Sequence, residues 1–443
     1  MNTIRTHRNR VALPLAVLTS FALLTAACGG DDDASTDAPV TTDAPDATDA
    51  PDATDAPDAT DAPDATDAPD ATEAPDTTEA PDTTEAPDTT EAPDTTDDEG
   101  TSEATPLDDE YSLQIARNKE IEVDTAEHVA EPPYKIATIV QGPINGWGTI
   151  FDVTMNEAMA ESGLFDMDAR LYVPWDFDVA NQANGIEDAI AQDVDAIMLT
   201  SLSRAGLAAS VERATEAGVP VVLCMAGAAT DEFVAEVSSD MPRMGYDSAQ
   251  EVAAQLGGEG KVVMIHGIAG VDAAEFWKLG AHTAFDEYPG IEIVAEQNAN
   301  WSTADALEVM RTILVQQPDI DAIWTGGFEM GVGIVDAYRE AGIDVPFIGG
   351  TGITNGFLGV AIEDELDFFA VQFPPAGSSE CVKTVIDLLE GNPVQKYTDV
   401  ATVLPDVEPI TLANAEDHYR PQFNDDFIGP QLYDDSVYAG AGF

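Results

Sequence analysis

The chain has 443 residues, and its 84 Asp and Glu against 17 Lys and Arg give a formal net charge of -67. That length allows two or three ordinary domains or one large two-lobed one. The acid excess excludes nucleic acid as a partner, because phosphate binding depends on Lys and Arg displacing condensed counterions.

The N-terminus carries Arg5, His7, Arg8 and Arg10 ahead of an apolar run from Val11 to Leu24. The run is too short and too early for an ordinary transmembrane helix, so residues 1–27 read as a secretory signal peptide. It ends in Leu24-Thr25-Ala26-Ala27-Cys28-Gly29, which resembles the lipobox of bacterial lipoproteins, with Thr25 where that motif prefers Leu. The resemblance implies cleavage before Cys28 and a lipidated N-terminus over residues 28–36. Several acyl chains on one Cys hold a membrane durably, whereas one does so only marginally. Cys224 and Cys381 remain; their spacing matches no zinc or CxxC motif, and both read as apolar-face residues, although export would permit a disulfide. No cofactor or metal is expected.

From Asp37 to about Thr96 a six-residue unit repeats, first Thr-Asp-Ala-Pro-Asp-Ala and then Thr-Glu-Ala-Pro-Asp-Thr. A Pro in every unit blocks helix and sheet, the only apolar side chains are Ala, and the like charges repel. Residues 37–110 therefore read as a disordered acidic linker; at about 3.1 Å per residue its reach is on the order of 200 Å. A transition segment over 111–133 ends in Glu131-Pro132-Pro133.

Beyond it strands and helices alternate, the signature of an α/β fold. Strand-like runs fall at Lys135–Gln141, Ala169–Val173, Ala196–Thr200, Pro220–Cys224, Phe233–Val237, Lys261–His266, Ile291–Ala295, Ala322–Thr325, Pro346–Gly349 and Phe368–Gln372. Ser203 opens a helical run that closes at Gly218, and Ser302 opens one that ends before Pro318, following the preference for Ser at N-caps and for Gly or Pro past the end. Short apolar strands such as Ala196-Ile197-Met198-Leu199 suit parallel sheets covered by helices on both faces. Ligands of such sheets bind beyond the carboxyl ends of the strands.

Several pieces at ordered spacing carry a more specific likeness: Lys135-Ile136-Ala137, Ala217-Gly218-Val219-Pro220-Val221, Gly267-Ile268-Ala269-Gly270, Gln317-Pro318-Asp319-Ile320-Asp321-Ala322-Ile323, Glu329-Met330-Gly331 and Gln372-Phe373-Pro374. With them the chain from 134 to about 420 resembles the ribose-binding class of type I periplasmic binding proteins, sugar-class receptors of ABC importers. The resemblance implies two Rossmann-like lobes with parallel sheets, an N lobe of 134–240 and 373–402 and a C lobe of 241–372 and 403–420. Three hinge crossovers near Asp240, Gln372 to Pro374, and Val403 to Pro405 would join them. It also implies carbohydrate binding in the cleft, an extracytoplasmic monomer held to the membrane through Cys28, and ABC permease subunits with a cytoplasmic ATPase as partners. A ligand sensor presenting its closed form to a membrane receptor or kinase is the alternative. Residues 421–443 form a C-terminal tail without periodicity.

Matched position by position, the family's ligand residues fall on Asn145 and Trp147 after the first strand, Met225 after the fourth, Glu275 on the first helix of the second lobe, and Trp301, Phe328, Thr351 and Gln372. Where pentose receptors place an Asp-Arg pair and a further Arg, this chain has Met225-Ala226 and Glu275, and Gly327-Phe328 and Thr351 stand in place of Asn and Asp. Charged planar groups grip hydroxyls bidentately, so the departures imply a ligand less hydroxylated than ribose. Each residue also has a structural reading: core packing for Trp147 and Trp301, a solvated ion pair with Lys278 for Glu275, a satisfied core position for His266, and a hinge role for Gln372. An inward Glu275 would require a donor or a cation. No nucleophile and base pattern is present, so no catalytic residue is assigned.

Overall fold

The computed structural model describes residues 107–443. The signal segment, Cys28 and the repeat up to residue 106 lie outside the described residues.

Two six-stranded sheets organise the chain. In the first, the strands run in the order Tyr397–Asp399, Ala235–Ser238, Val221–Cys224, Ala196–Leu199, Ile136–Val140 and Leu171–Pro174, all parallel. In the second the order is Ile410–Thr411, Phe368–Val371, Phe347–Thr351, Ala322–Thr325, Glu259–His266 and Gly290–Asn298, parallel except for Ile410–Thr411 at one edge. Every residue of Ile136–Val140, Ala196–Leu199 and Val221–Cys224 is buried, as parallel strands covered on both faces must be.

Short polar side chains start the helices that follow the strands. Asn145 caps Gly146–Ser162 by accepting from the N–H of Gly148, Ser203 caps Arg204–Glu216, Asp240 caps Met241–Gln255 and Ser302 caps Thr303–Gln316. Each cap satisfies one of the N–H groups that a helix leaves unpaired at its start. Because the strands are parallel, these helix starts cluster at the carboxyl ends of both sheets, where the sheets face each other.

The chain passes between the sheets after Ala235–Ser238, after Phe368–Val371 and after Tyr397–Asp399. Gln372 braces the second passage to the third, its Nε2 donating to the carbonyls of Asp406 at 2.8 Å and Glu408 at 2.7 Å. The Pro374 carbonyl accepts from Gly377 at the start of the next helix. Cys224 and Cys381 are buried free thiols, unbridged.

Two additions flank this core. Helix Glu110–Asn118 lies where the sequence pattern leaves a transition segment. Its Tyr111 hydroxyl donates to buried Glu236 at 2.5 Å, and the Tyr111 ring lies 3.9 Å from the Arg204 guanidinium and 4.9 Å from the Phe276 ring. The tail is no less ordered. Phe423, Phe427, Ile428 and Tyr438 are buried in the same apolar cluster as Trp147, Ile150, Phe151 and Met155 of the first lobe. Asn355, opening a helix of the second lobe, donates through Nδ2 to the carbonyls of Arg420, Phe423 and Asn424 at 3.0–3.1 Å. Its Oδ1 accepts from the Arg420 N–H.

Replacing Asn355 with Ala takes from the Phe423 carbonyl and the Arg420 N–H the side-chain partner they have here, while the Arg420 and Asn424 carbonyls keep the N–H groups of Phe423 and Phe427, in a site where Asn355 is 3% exposed. Asn355→Ala is expected to lower unfolding stability by about 2–3 kcal/mol, read as a reduced urea midpoint.

Candidate ligand site

A cavity of about 60 Å³ lies between the two sets of strand ends. The first lobe and its crossovers contribute Gln141, Asn145, Trp147, Trp175, Thr200, Ser201, Met225 and Phe373, and the second contributes Asp272, Trp277, Trp301 and Glu329. The strand-end loops thus bring four tryptophans to one small space.

Their rings are held by contacts and by spent N–H groups. Trp147 stacks between Phe151 at 5.2 Å and Phe373 at 5.4 Å, and its Nε1 donates to the Phe373 carbonyl at 3.0 Å. Trp175 donates to the Thr200 carbonyl and Trp301 to the Gly326 carbonyl, both at 2.7 Å. Trp277 meets Phe373 and Trp301 edge-on at 5.3 and 6.1 Å, but its buried Nε1 has no partner among the described residues. Edge-to-face and offset pairs of this kind contribute roughly 0.5–1.5 kcal/mol each beyond area burial.

Backbone strain accompanies the ring placement. Trp301 and Met225 sit at φ 53° and 56°, the left-handed region that bulky residues avoid and that clusters at functional positions. Trp301 also lies so close to the loops beneath it that a Cβ on Gly267 would fall 2.1 Å from its Cε2, and one on Gly327 2.6 Å from its Cδ1. Only glycine fits at either place.

Two carboxylates reach the cavity. Asp272 opens its own helix, and its Oδ2 accepts from the backbone N–H of Arg204 at 2.5 Å, at the start of a helix of the other lobe. Burial pushes its carboxyl up, opposed by the Arg204 N–H and the Arg204 charge. Glu329 is pushed up to about 7 by burial, with nearby Asp426 adding to the rise and its own backbone N–H opposing it. Its Oε2 is buried without a partner among the described residues. Thr200 Oγ1 is likewise unpartnered. Among the described residues, no Lys, Arg or His lines the cavity.

Of the residues expected at the ligand, Asn145, Trp147, Met225 and Trp301 line this cavity, and Glu275, Phe328, Thr351 and Gln372 do not. Glu275 faces outward and accepts from the Gly270 N–H at 2.8 Å, while Lys278, its expected ion-pair partner, reaches Glu296 at 2.6 Å. Phe328 packs into the core of the second lobe, 4.4 Å from the Phe357 ring. Thr351 ends a buried strand, and Gln372 is committed to the crossovers. His266 is 2% exposed and contacts Glu296 at 3.0 Å, its imidazole pushed down to about 4 by burial. Trp175, Trp277, Asp272 and Glu329 were not singled out from sequence as ligand residues, although each stands in the segment that follows a strand, where ligands of parallel sheets are met.

Two parallel-sheet lobes enclosing a cavity at their facing strand ends define a binding protein of the type I periplasmic class. Residues 136–393, more than half the chain, match the family described as periplasmic binding protein domain, and the chain belongs to that family. It is 29% identical over 219 residues to the ribose import binding protein of Bacillus subtilis, covering 49% of this chain and 71% of that protein. It is 28% identical over 256 residues to the xylitol-binding protein of Mycolicibacterium smegmatis, covering 57% and 72%. Its fold is shared with an ABC transporter solute-binding protein from Bacillus halodurans with bound myo-inositol, at TM-score 0.58 and 23% identity over 65% of this chain and 98% of that one. These relatives are binding proteins, and the chain is not an enzyme.

Gly267→Ala forces its methyl into the Trp301 ring. The variant is expected to shift the tryptophan emission to longer wavelength as Trp301 is displaced toward solvent, and to lose about 1–3 kcal/mol of unfolding stability.

Proposed function

We propose that the protein is the solute-binding lipoprotein of an ABC importer. A signal peptide over 1–27 exports it, acylated Cys28 holds it to the membrane, and the acidic repeat carries the lobes away from the anchor. Closing of the lobes about the crossovers at Asp240, Gln372 to Pro374, and Val403 to Pro405 captures a sugar- or polyol-sized molecule and presents it to the permease. The observation that carries this reading is the cavity itself, lined by strand-end residues of both lobes, because a ligand touching both lobes binds the closed state better than the open one. The relatives' names, ribose import binding protein and xylitol-binding protein, support a polyhydroxylated or similarly compact solute. Trp147, Met225 and Trp301 on the wall support one with fewer hydroxyls than ribose.

The reading is tested by thermal shift of the chain against sugars, polyols, amines and amino acids, since a ligand of the folded state raises stability as RT ln(1 + [L]/Kd). One class is expected to raise the midpoint; absence of any shift across the panel counts against solute capture. With that ligand, Trp147→Ala and Trp301→Ala are each expected to weaken binding by at least about 1 kcal/mol with the fold retained in circular dichroism; unchanged affinity in both removes the pocket assignment. Cys28→Ala is expected to move the protein from the membrane fraction to the soluble one and to abolish fatty-acid labelling.

A further inference from the structure

Resting on the solute-capture reading, we propose that the cavity is built for a compact organic cation bearing a hydroxyl, an amino alcohol or amino-polyol, rather than for a neutral sugar. Three observations lead there. First, the wall is aromatic: Trp147, Trp175, Trp277, Trp301 and Phe373 surround the space, with Met225 and Met241 completing it. Aromatic faces attract cations through the ring quadrupole, most strongly where water is excluded.

Second, the polar groups left for a ligand are few and of definite kind. The indole N–H groups of Trp147, Trp175 and Trp301 are spent on backbone carbonyls. Asp272 Oδ2 is engaged by Arg204, and Asn145 Oδ1 accepts from both Gly148 N–H and Gln141 Nε2. Buried and unpartnered among the described residues are the acceptor Glu329 Oε2, the donor Trp277 Nε1, with Trp277 4% exposed, and the Thr200 hydroxyl, with Thr200 2% exposed. A ligand that satisfies them presents a cationic N–H or methylammonium to Glu329 and a hydroxyl oxygen to Trp277.

Third, two carboxylates face the cavity and, among the described residues, no Lys, Arg or His lines it. Glu329 and the edge of Trp301 converge on Gly327, whose Cβ, were there one, would meet Trp301 Cδ1 at 2.6 Å and Glu329 Oε2 at 2.7 Å. The carboxylate and an indole thus occupy one corner, where a bound positive charge would touch both. An anionic or zwitterionic solute would find no countercharge for its carboxylate. Burial raises the Glu329 carboxyl toward neutrality, the cost that an incoming cation offsets.

The experiment compares charge at fixed shape, using tryptophan emission of the full chain at pH 8. Choline is titrated against its neutral carbon isostere dimethylbutanol, and glucamine against glucitol. The cation of at least one pair is expected to bind about tenfold or more tighter than its neutral partner, with that advantage largely lost in Glu329→Gln. Equal or tighter binding of the neutral members overturns the inference and leaves solute capture standing. So does binding of neutral sugars alone when neither cation binds. Failure of all four probes, together with no thermal shift from any solute, overturns both readings. The isostere comparison is made on the unaltered chain and therefore holds even if Glu329→Gln does not fold.

Discussion

The two lobes meet where one carboxylate serves two helices. Asp272 opens a helix of the second lobe and accepts, at 2.5 Å, the first backbone N–H of a helix in the other lobe. A negative charge at a helix N-terminus is favoured by the helix dipole, and here two such termini converge on it. This contact joins, at the edge of the cavity, the strand-end segments that carry Trp175 and Thr200 on one side to those that carry Trp277 and Trp301 on the other. Arg204 contributes more than its N–H: its guanidinium lies over Tyr111, and it bonds Gln114 and the Ala228 carbonyl, so helix Glu110–Asn118 backs the same junction.

The aromatic lining is also under local constraint. Left-handed backbone at Met225 and Trp301, and glycine where any Cβ would strike the Trp301 ring, hold the rings in place by geometry that the surrounding structure imposes. Such positions cost stability, and here they gather around a single space. Of the polar atoms that remain unpaired in that space among the described residues, Glu329 Oε2 belongs to the same turn as Gly327.

Much of the fold was legible from the chain itself. The short apolar runs appear as strands, and Ser203 and Ser302 cap the helices they precede, because each of these depends on local pattern; the crossovers near Asp240 and Gln372 came only with the family resemblance. The cavity was legible only in part. Asn145 and Trp147 follow the first strand directly, so their place is set by the strand end. Phe328 and Glu329 are neighbours in a single turn, and one enters the core while the other reaches the cavity; no periodicity distinguishes them. Glu275 and Trp277 share one helix, and which of them faces inward depends on the neighbouring helix and on Phe373, distant in sequence. The tail was opaque for a related reason: buried Phe423 and Phe427 come from an irregular segment anchored by backbone carbonyls to Asn355, and Tyr438 from the short helix Asp435–Gly440, a kind of docking that leaves no repeating signature.

The way the tail is built in has a consequence for the order in which the molecule can assemble. The apolar cluster that contains Ile150, Phe151 and Met155 is completed by Phe427 and Tyr438, nearly the full length of the folded chain away. The first sheet likewise waits for Tyr397–Asp399 to pair with Ala235–Ser238. Contacts of such sequence separation are slow to form because the loop must close before they reward it. The first lobe therefore cannot finish folding as it is synthesised. It stays incomplete until Tyr397–Asp399, Phe427 and Tyr438 are available, and loss of that segment would act as a folding lesion in a lobe whose other strands come much earlier in the chain.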